Sequence, residues 1–370
     1  MYTPFDPADW TGRDDGPGRE HARWHSVIEG LDPREAGSSS GSGVGGASGS
    51  GAGAAGVALL GFESDEGVER NGGRRGAAAG PAAIRSALAS LAVHDEVARA
   101  DAGTVRTEDP DLEGAQRELS DAVRDLVRAG RLVVALGGGH EIAWATHRGL
   151  FEAVTGSGAA GSGAGDSGAG DAAPAPAGER GRIAVVNLDA HFDLRAADRP
   201  TSGTPFLQIA RLHGAGGPAA DAPIPDSAPA EQSESHDFDY TVLGISEPNN
   251  TRVLFETAEA LGVRTVLDDE LAEMTPQQAG ELVAKAVADA DHVHLSIDLD
   301  GLPASVAPGV SAPAAVGVSL AHYRAMARAA AASGKLRLVD VAELNPEFDV
   351  DNRTAKVAAR LISDITSVEG

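Results

Sequence analysis

The chain has 370 residues and no cysteine, which excludes disulfides, thiolate metal sites, iron–sulfur clusters and a cysteine nucleophile. Its formal net charge of −25 argues against nucleic acid or an anionic membrane as a partner, since both require a basic footprint. MYTPFDPADW at the start has neither the basic nor the apolar part of a signal peptide, and no apolar run is long enough to span a bilayer, so a soluble cytoplasmic protein is expected.

In chain order, apolar β-rich runs occur at 57–62, 131–137, 182–188, 240–245, 263–267, 292–298 and 336–344. Helical patterns lie between many of them, for example at 81–92, 113–130, 251–261, 276–290 and 320–333. Pro81 suits a helix first turn, and Gly130 and Gly334 suit helix ends. Near-continuously apolar strands that alternate with helices imply an α/β domain whose mostly parallel sheet is covered on both faces. Three tracts interrupt the pattern: 37–56 and 155–178, both rich in Gly, Ser and Ala, and 214–236, which mixes Gly, Pro, Ala and acidic residues. Such tracts cannot bury enough apolar surface to offset their ordering entropy, and they are expected to be flexible surface insertions. The expected organisation is an N-terminal segment, 1–56, carrying the first tract, followed by a single domain over 57–366 that holds the other two.

Three segments that follow apolar runs carry six potential metal ligands: His140 in GGGHE; Asp189, His191 and Asp193 in NLDAHFDLR; Asp298 and Asp300 in SIDLDGLP. Spacings of i, i+2, i+4 in extended chain place side chains on one face. Turn chemistry explains any single Asp after a strand, but three clusters in matched register point to a metal site. Carboxylates with a few imidazoles suit a pair of Mn²⁺-type ions, although ligand type alone does not separate Mn²⁺ from Fe²⁺ or Co²⁺. In open parallel sheets, sites lie at the carboxyl ends of the strands, where these clusters fall. The glycines before His140 also raise a phosphate-binding turn, but no Lys-Ser/Thr follows, and Glu141 would oppose an anion. His147 and His294 read as structural. Asn249 and Asn250 precede a helix, and capping it is preferred to a substrate role.

The set GGGHE, NLDAHFD, SIDLD and AELNP resembles the ureohydrolase family of arginases, agmatinases and formimidoylglutamases over about residues 57–366, the insertions excepted. The resemblance implies a three-layer αβα, arginase-like fold and two Mn²⁺ ions per subunit. By match to the motif, His140 and Asp193 would complete one ion's shell, His191 and Asp300 the other's, and Asp189 and Asp298 would bridge. It also implies attack of a metal-bridging hydroxide on an amidine or guanidine carbon, contact of Glu343 with the amidine, and assembly as trimers or hexamers.

Segments 65–85, 191–195, 201–209 and 303–319 look most like the formimidoylglutamase members, which hydrolyse N-formimidoyl-L-glutamate to glutamate and formamide in histidine degradation. That amidine carries two carboxylates, and Arg195, two residues after Asp193, could grip one in bidentate fashion. The bland alternative is a surface ion pair with Asp198. Arg70, Arg74, Arg75 and Asn71, in the Gly-rich loop after the first strand, are further substrate candidates, or else form a solvated basic loop. Where arginases and agmatinases carry a proton-shuttling His, TSGTPF places Ser202 or a near neighbour, which leaves protonation of the leaving amine to Glu343 or water. The competing functions are another ureohydrolase, an agmatinase or guanidino-acid hydrolase, and a metal-binding homologue without catalysis.

Overall fold

A computed structural model describes residues 1–36, 56–108, 110–156, 181–215 and 237–367. Tracts 37–56, 155–178 and 214–236 fall outside these residues except at their edges. The strands are β1 (Tyr2–Thr3), β2 (Ile28–Gly30), β3 (Val57–Glu63), β4 (Arg99–Arg106), β5 (Leu132–Leu136), β6 (Ile183–Leu188), β7 (Asp239–Ile245), β8 (Arg264–Leu267), β9 (His292–Asp298) and β10 (Leu336–Ala342). The helices are α1 (Trp24–Val27), α2 (Glu66–Arg70), α3 (Gly80–Ala89), α4 (Leu112–Arg128), α5 (Ile142–Thr155), α6 (Pro205–Leu212), α7 (Arg252–Ala260), α8 (Asp268–Ala272), α9 (Pro276–Ala286), α10 (Leu320–Ala332) and α11 (Arg353–Thr366).

The strands form one sheet in the order β1-β4-β3-β5-β10-β9-β6-β7-β8, with β2 also paired to β4. Every pairing is parallel except β1 with β4. Apolar side chains alternate between the two faces, as a strand's period of two requires. Leu59, Val134 and Leu136 join a core with residues of α3, α9, α10 and α11. Their neighbours Leu60, Val133 and Ala135 pack with residues of α4 and α5, and further along the same face α6 and α7 cover Val185 and Val242. The result is the αβα sandwich expected from the sequence.

The chain leaves β5, runs through α5, and resumes at β6 three places away; β9 and β10 later fill the gap. The crevice above β5, β10, β9 and β6 is therefore the point where the winding changes direction, the usual place for a ligand in such a sheet.

The apolar-run reading did not register β1, β2 or β4. β4 is buried, yet it reads RADAGTVR. Its charges are paired internally: Arg85 donates to both carboxylate oxygens of Asp101 at 2.8 and 2.9 Å, and Arg99 to Asp95 at 2.8 Å. The indole of Trp10 also donates to Asp101 at 2.8 Å and stacks on Trp24. Residues 1–36 thus belong to the same sheet and core as the chain from 57 onward.

Candidate metal centre

The six candidate ligands converge. Leu188 of β6 is in register with Ile297 of β9, so Asp189 and Asp298, each one residue on, leave adjacent strands side by side. Asp298 is in turn level with Ala342 of β10, which puts Glu343 one step beyond it. His140 comes from the turn after β5. That turn must pass close to β3: a Cβ on Gly138 would lie 1.8 Å from the carbonyl oxygen of Ser64, so only glycine fits.

His140, Asp189, Asp193 and Asp298 form one group and Asp189, His191 and Asp300 a second, each with its donor atoms within 4.8 Å of one another. Asp189 belongs to both. Asp298 lies with the first group only, and its Oδ1 accepts from the backbone N–H of Asp300 at 2.7 Å.

The donors fit cations rather than one another. His140 Nδ1 lies 3.2, 2.9 and 3.0 Å from carboxylate oxygens of Asp189, Asp193 and Asp298, yet it is buried without a hydrogen bond, as is Asp300 Oδ1. Four carboxylates crowd into a buried space. Burial, Asp300 and Asp189 push Asp298 well above the usual carboxylate range, and burial with Asp189 raises Asp193. Burial would also raise Asp189, but the imidazoles of His140 and His191 hold it below its ordinary value. Asp300 pushes His191 up to about 12. Protons here stand in for missing positive charge, and two divalent ions would supply four units against four carboxylates.

Glu343 closes the crevice. Its Oε1 accepts from the backbone N–H of His140 at 2.9 Å, and burial, Glu141 and Asp300 push it up to about 8. Its φ of 70° and that of Asp193 at 50° are left-handed, a conformation that costs on the order of 1–3 kcal/mol each in non-glycine residues and gathers at functional sites.

Supporting side chains hold the donors. Asn187 donates to Asp189 at 2.9 Å. Asn250 accepts from the N–H of Phe192 at 3.2 Å and donates to the carbonyl of Ala190 at 2.8 Å, clamping the segment that carries His191 and Asp193. This corrects its expected capping role: the residue at the N-cap of α7 is Thr251. Neither contact could be read from sequence spacing.

The rim sorts the arginines. Arg195 is exposed, and its guanidinium has no partner among the described residues, Asp198 included. Its stem passes over Gly203, where a Cβ would lie 2.7 Å from Arg195 Cδ. Its backbone N–H donates to Gly203, and beside it Asn71 donates to Ser202 Oγ at 3.2 Å. The other candidate arginines, Arg70, Arg74 and Arg75, have partners within the protein. Arg74 donates to the carbonyls of Ser311 and Val310 and lies 3.7 Å over the Phe348 ring. Arg75 is ion-paired with Asp65 and Glu69. Arg70 pairs with Glu66 and Glu113. These three tie loops together through partners that loop-level sequence reading could not identify.

Comparison with known proteins agrees with this geometry. A formimidoylglutamase of Corynebacterium efficiens is 43% identical over 361 residues, covering 97% of this chain and 94% of its own. One of Nocardia farcinica is 45% identical over 358 residues, covering 97% and 96%. Among solved structures, Trypanosoma cruzi formiminoglutamase with Mn²⁺ superposes with a TM-score of 0.65 at 24% identity, over 84% of this chain and 92% of that one. Bacillus subtilis arginase superposes with a TM-score of 0.65 at 22% identity, over 85% and 99%. The sequence model of the arginase family matches residues 55–367, and the chain belongs to that family.

Proposed function

We propose that this chain is a formimidoylglutamase, a hydrolase that cleaves a C–N bond of N-formimidoyl-L-glutamate to give L-glutamate and formamide in histidine degradation. The observation that carries the substrate choice is the unpartnered guanidinium of Arg195 at the rim of a buried carboxylate–imidazole centre. Relatives named formimidoylglutamase at 43–45% identity over nearly the whole chain support the same reading.

The centre fits two Mn²⁺ ions, held by His140, Asp189, Asp193 and Asp298 on one side and by Asp189, His191 and Asp300 on the other. Bound there, they would supply an activated water at neutral pH and hold it facing the amidine carbon. The residues do the rest. Arg195 pairs with a glutamate carboxylate and Asn71 and Ser202 offer amide and hydroxyl beside it, so that the formimidoyl carbon faces the centre. Glu343 keeps one oxygen on the His140 N–H and turns the other to the amidine N–H groups; a cationic amidine lowers its raised pKa and favours the carboxylate. Addition of water to the formimidoyl carbon and rupture of its bond to the glutamate nitrogen release formamide, and the leaving amine takes a proton from water or Glu343. No helix among the described residues is long and apolar enough to cross a membrane, and the partner in this reading is a small-molecule amidine. Assembly as a trimer or hexamer belongs to the same reading and is measured by light scattering.

The test is a panel of formimidoylglutamate, arginine, agmatine and guanidinobutyrate with added Mn²⁺, with formamide and urea quantified. Formamide from the first compound alone is the expected result. Urea from a guanidino acid, without formamide, would move the assignment to another ureohydrolase.

A further inference from the structure

Behind the metal centre lies a buried polar cluster that the reaction scheme does not use. Asp340 sits in the middle of β10, fully buried, and its carboxylate collects three polar groups and reaches a fourth through one of them. Ser296 Oγ donates to Oδ1, Thr146 Oγ1 donates to Oδ2 at 2.9 Å, and His294 Nε2 lies against Oδ2. His140 Nε2 lies 2.8 Å from Ser296 Oγ, so a candidate metal ligand is the fourth, joined through that hydroxyl.

The donor and acceptor roles follow by elimination. An ionised carboxylate only accepts, so Ser296 must spend its one proton on Asp340. Its oxygen then has only lone pairs to offer His140, and His140 must carry its proton on Nε2. In the neutral ring that a metal binds, this leaves Nδ1, facing Asp189, Asp193 and Asp298, as the bare nitrogen. Burial works against the charge on Asp340, yet the ring of His294 and the Ser296 hydroxyl hold it below its ordinary value. His147 packs behind His294, with Nδ1 atoms 3.1 Å apart, and burial keeps its own ring neutral.

We propose that Asp340 is a positioning residue for the metal centre, which acts through Ser296 to set the tautomer, orientation and basicity of His140. The proposal rests on the dimetal reading of the site. It assigns no contact with substrate to Asp340. Groups in such a position typically alter metal affinity by roughly 10–100-fold.

Mn²⁺ affinity of the full-length metal-free protein, titrated calorimetrically, tests it in wild type, Ser296→Ala, Asp340→Asn, the double variant and Thr146→Val. Thr146 bonds the same carboxylate but lies off the route to His140. Ser296→Ala and Asp340→Asn should each weaken one of the two ions by roughly 10–100-fold. The double variant should be no weaker than the worse single one, because both changes break one path. Thr146→Val should leave both affinities within about twofold of wild type, its loss being structural rather than along the path. Unchanged affinities in Ser296→Ala and Asp340→Asn, additive losses in the double variant, or an equal loss in Thr146→Val would each overturn the proposal. If Asp340→Asn does not fold, Ser296→Ala against Thr146→Val still decides. Wild-type protein that binds no Mn²⁺ would instead defeat the dimetal reading itself.

Discussion

Asp189 is the one donor shared by both halves of the centre, and its removal should be felt by both ions. Asp189→Ala is expected to lower bound Mn²⁺ from two ions per subunit and to abolish turnover; metal analysis by plasma emission on the purified variant, with two ions still bound, would count against the shared role. Arg195 makes a different kind of contribution. Loss of a partly desolvated guanidinium–carboxylate pair costs about 2–5 kcal/mol, so Arg195→Ala should reduce kcat/KM for formimidoylglutamate by one to several orders of magnitude without changing metal content. Arg195→Lys should recover only part, because an ammonium cannot make the bidentate contact. Equal kinetics for wild type and Arg195→Ala would remove the residue from the substrate site. The candidate ligands were legible in the sequence because three clusters of carboxylates and imidazoles follow apolar runs in matched register, which turn chemistry at a single Asp does not explain. Arg74 and Arg75 were not separable from Arg195 that way: their partners, the carbonyls of Val310 and Ser311 and the carboxylates of Asp65 and Glu69, are set by how distant loops meet.

At the level of elements, strands that are apolar on both sides declared themselves, while the polar β4 did not. β4 makes up for its charges with the Arg85–Asp101 pair, both side chains about 3% exposed or less, and with the Trp10 indole. Removing one partner strands the other charge in the core. Asp101→Ala should therefore destabilise the fold by about 3–5 kcal/mol, read from urea unfolding, whereas a change below about 1 kcal/mol would mean that the pair is solvated. The same pair joins Trp10 to the sheet, so residues 1–36 should unfold with the domain and not before it. The low-complexity tract between them and β3 carries the opposite expectation. Deleting residues 37–55 should leave activity and melting temperature near wild type, since changing the length of a connection alters loop entropy by little; joint loss of both would show that the tract is structural.

For the whole molecule, pH and metal act on the same balance. Burial holds His147 well below the ordinary histidine value. The unfolded chain therefore takes up a proton at this residue below about pH 6.5 that the folded chain refuses. Stability from this residue is complete above that value and falls as pH drops, by up to roughly 1.4 kcal/mol per pH unit until the folded pKa is reached. Chemical denaturation at pH 7.5 and pH 5.5 should show a shallower dependence in His147→Asn than in wild type; identical slopes would mean that the ring is not held neutral. Divalent ions pull in one direction only. Chelation by EDTA should lower the melting temperature, and returning Mn²⁺ should restore it, because ligands that bind the folded state alone stabilise it by mass action.

The sequence by itself determined the chemistry: which side chains could hold cations, that they stand at the ends of buried strands, and that strand and helix alternate into a parallel sheet. These are properties of single residues and of local period, carried along the chain without knowledge of its folding. Only the tertiary structure decided which strand ends are neighbours, with β9 and β10 filling the gap between β5 and β6. It also decided that Arg195, alone among the four candidate arginines, has a guanidinium without a partner among the described residues, and that Asp340 stands behind His140. Those outcomes depend on pairings between residues far apart in sequence, such as His140 with Ser296, and pairing is settled by the packing of the whole sheet.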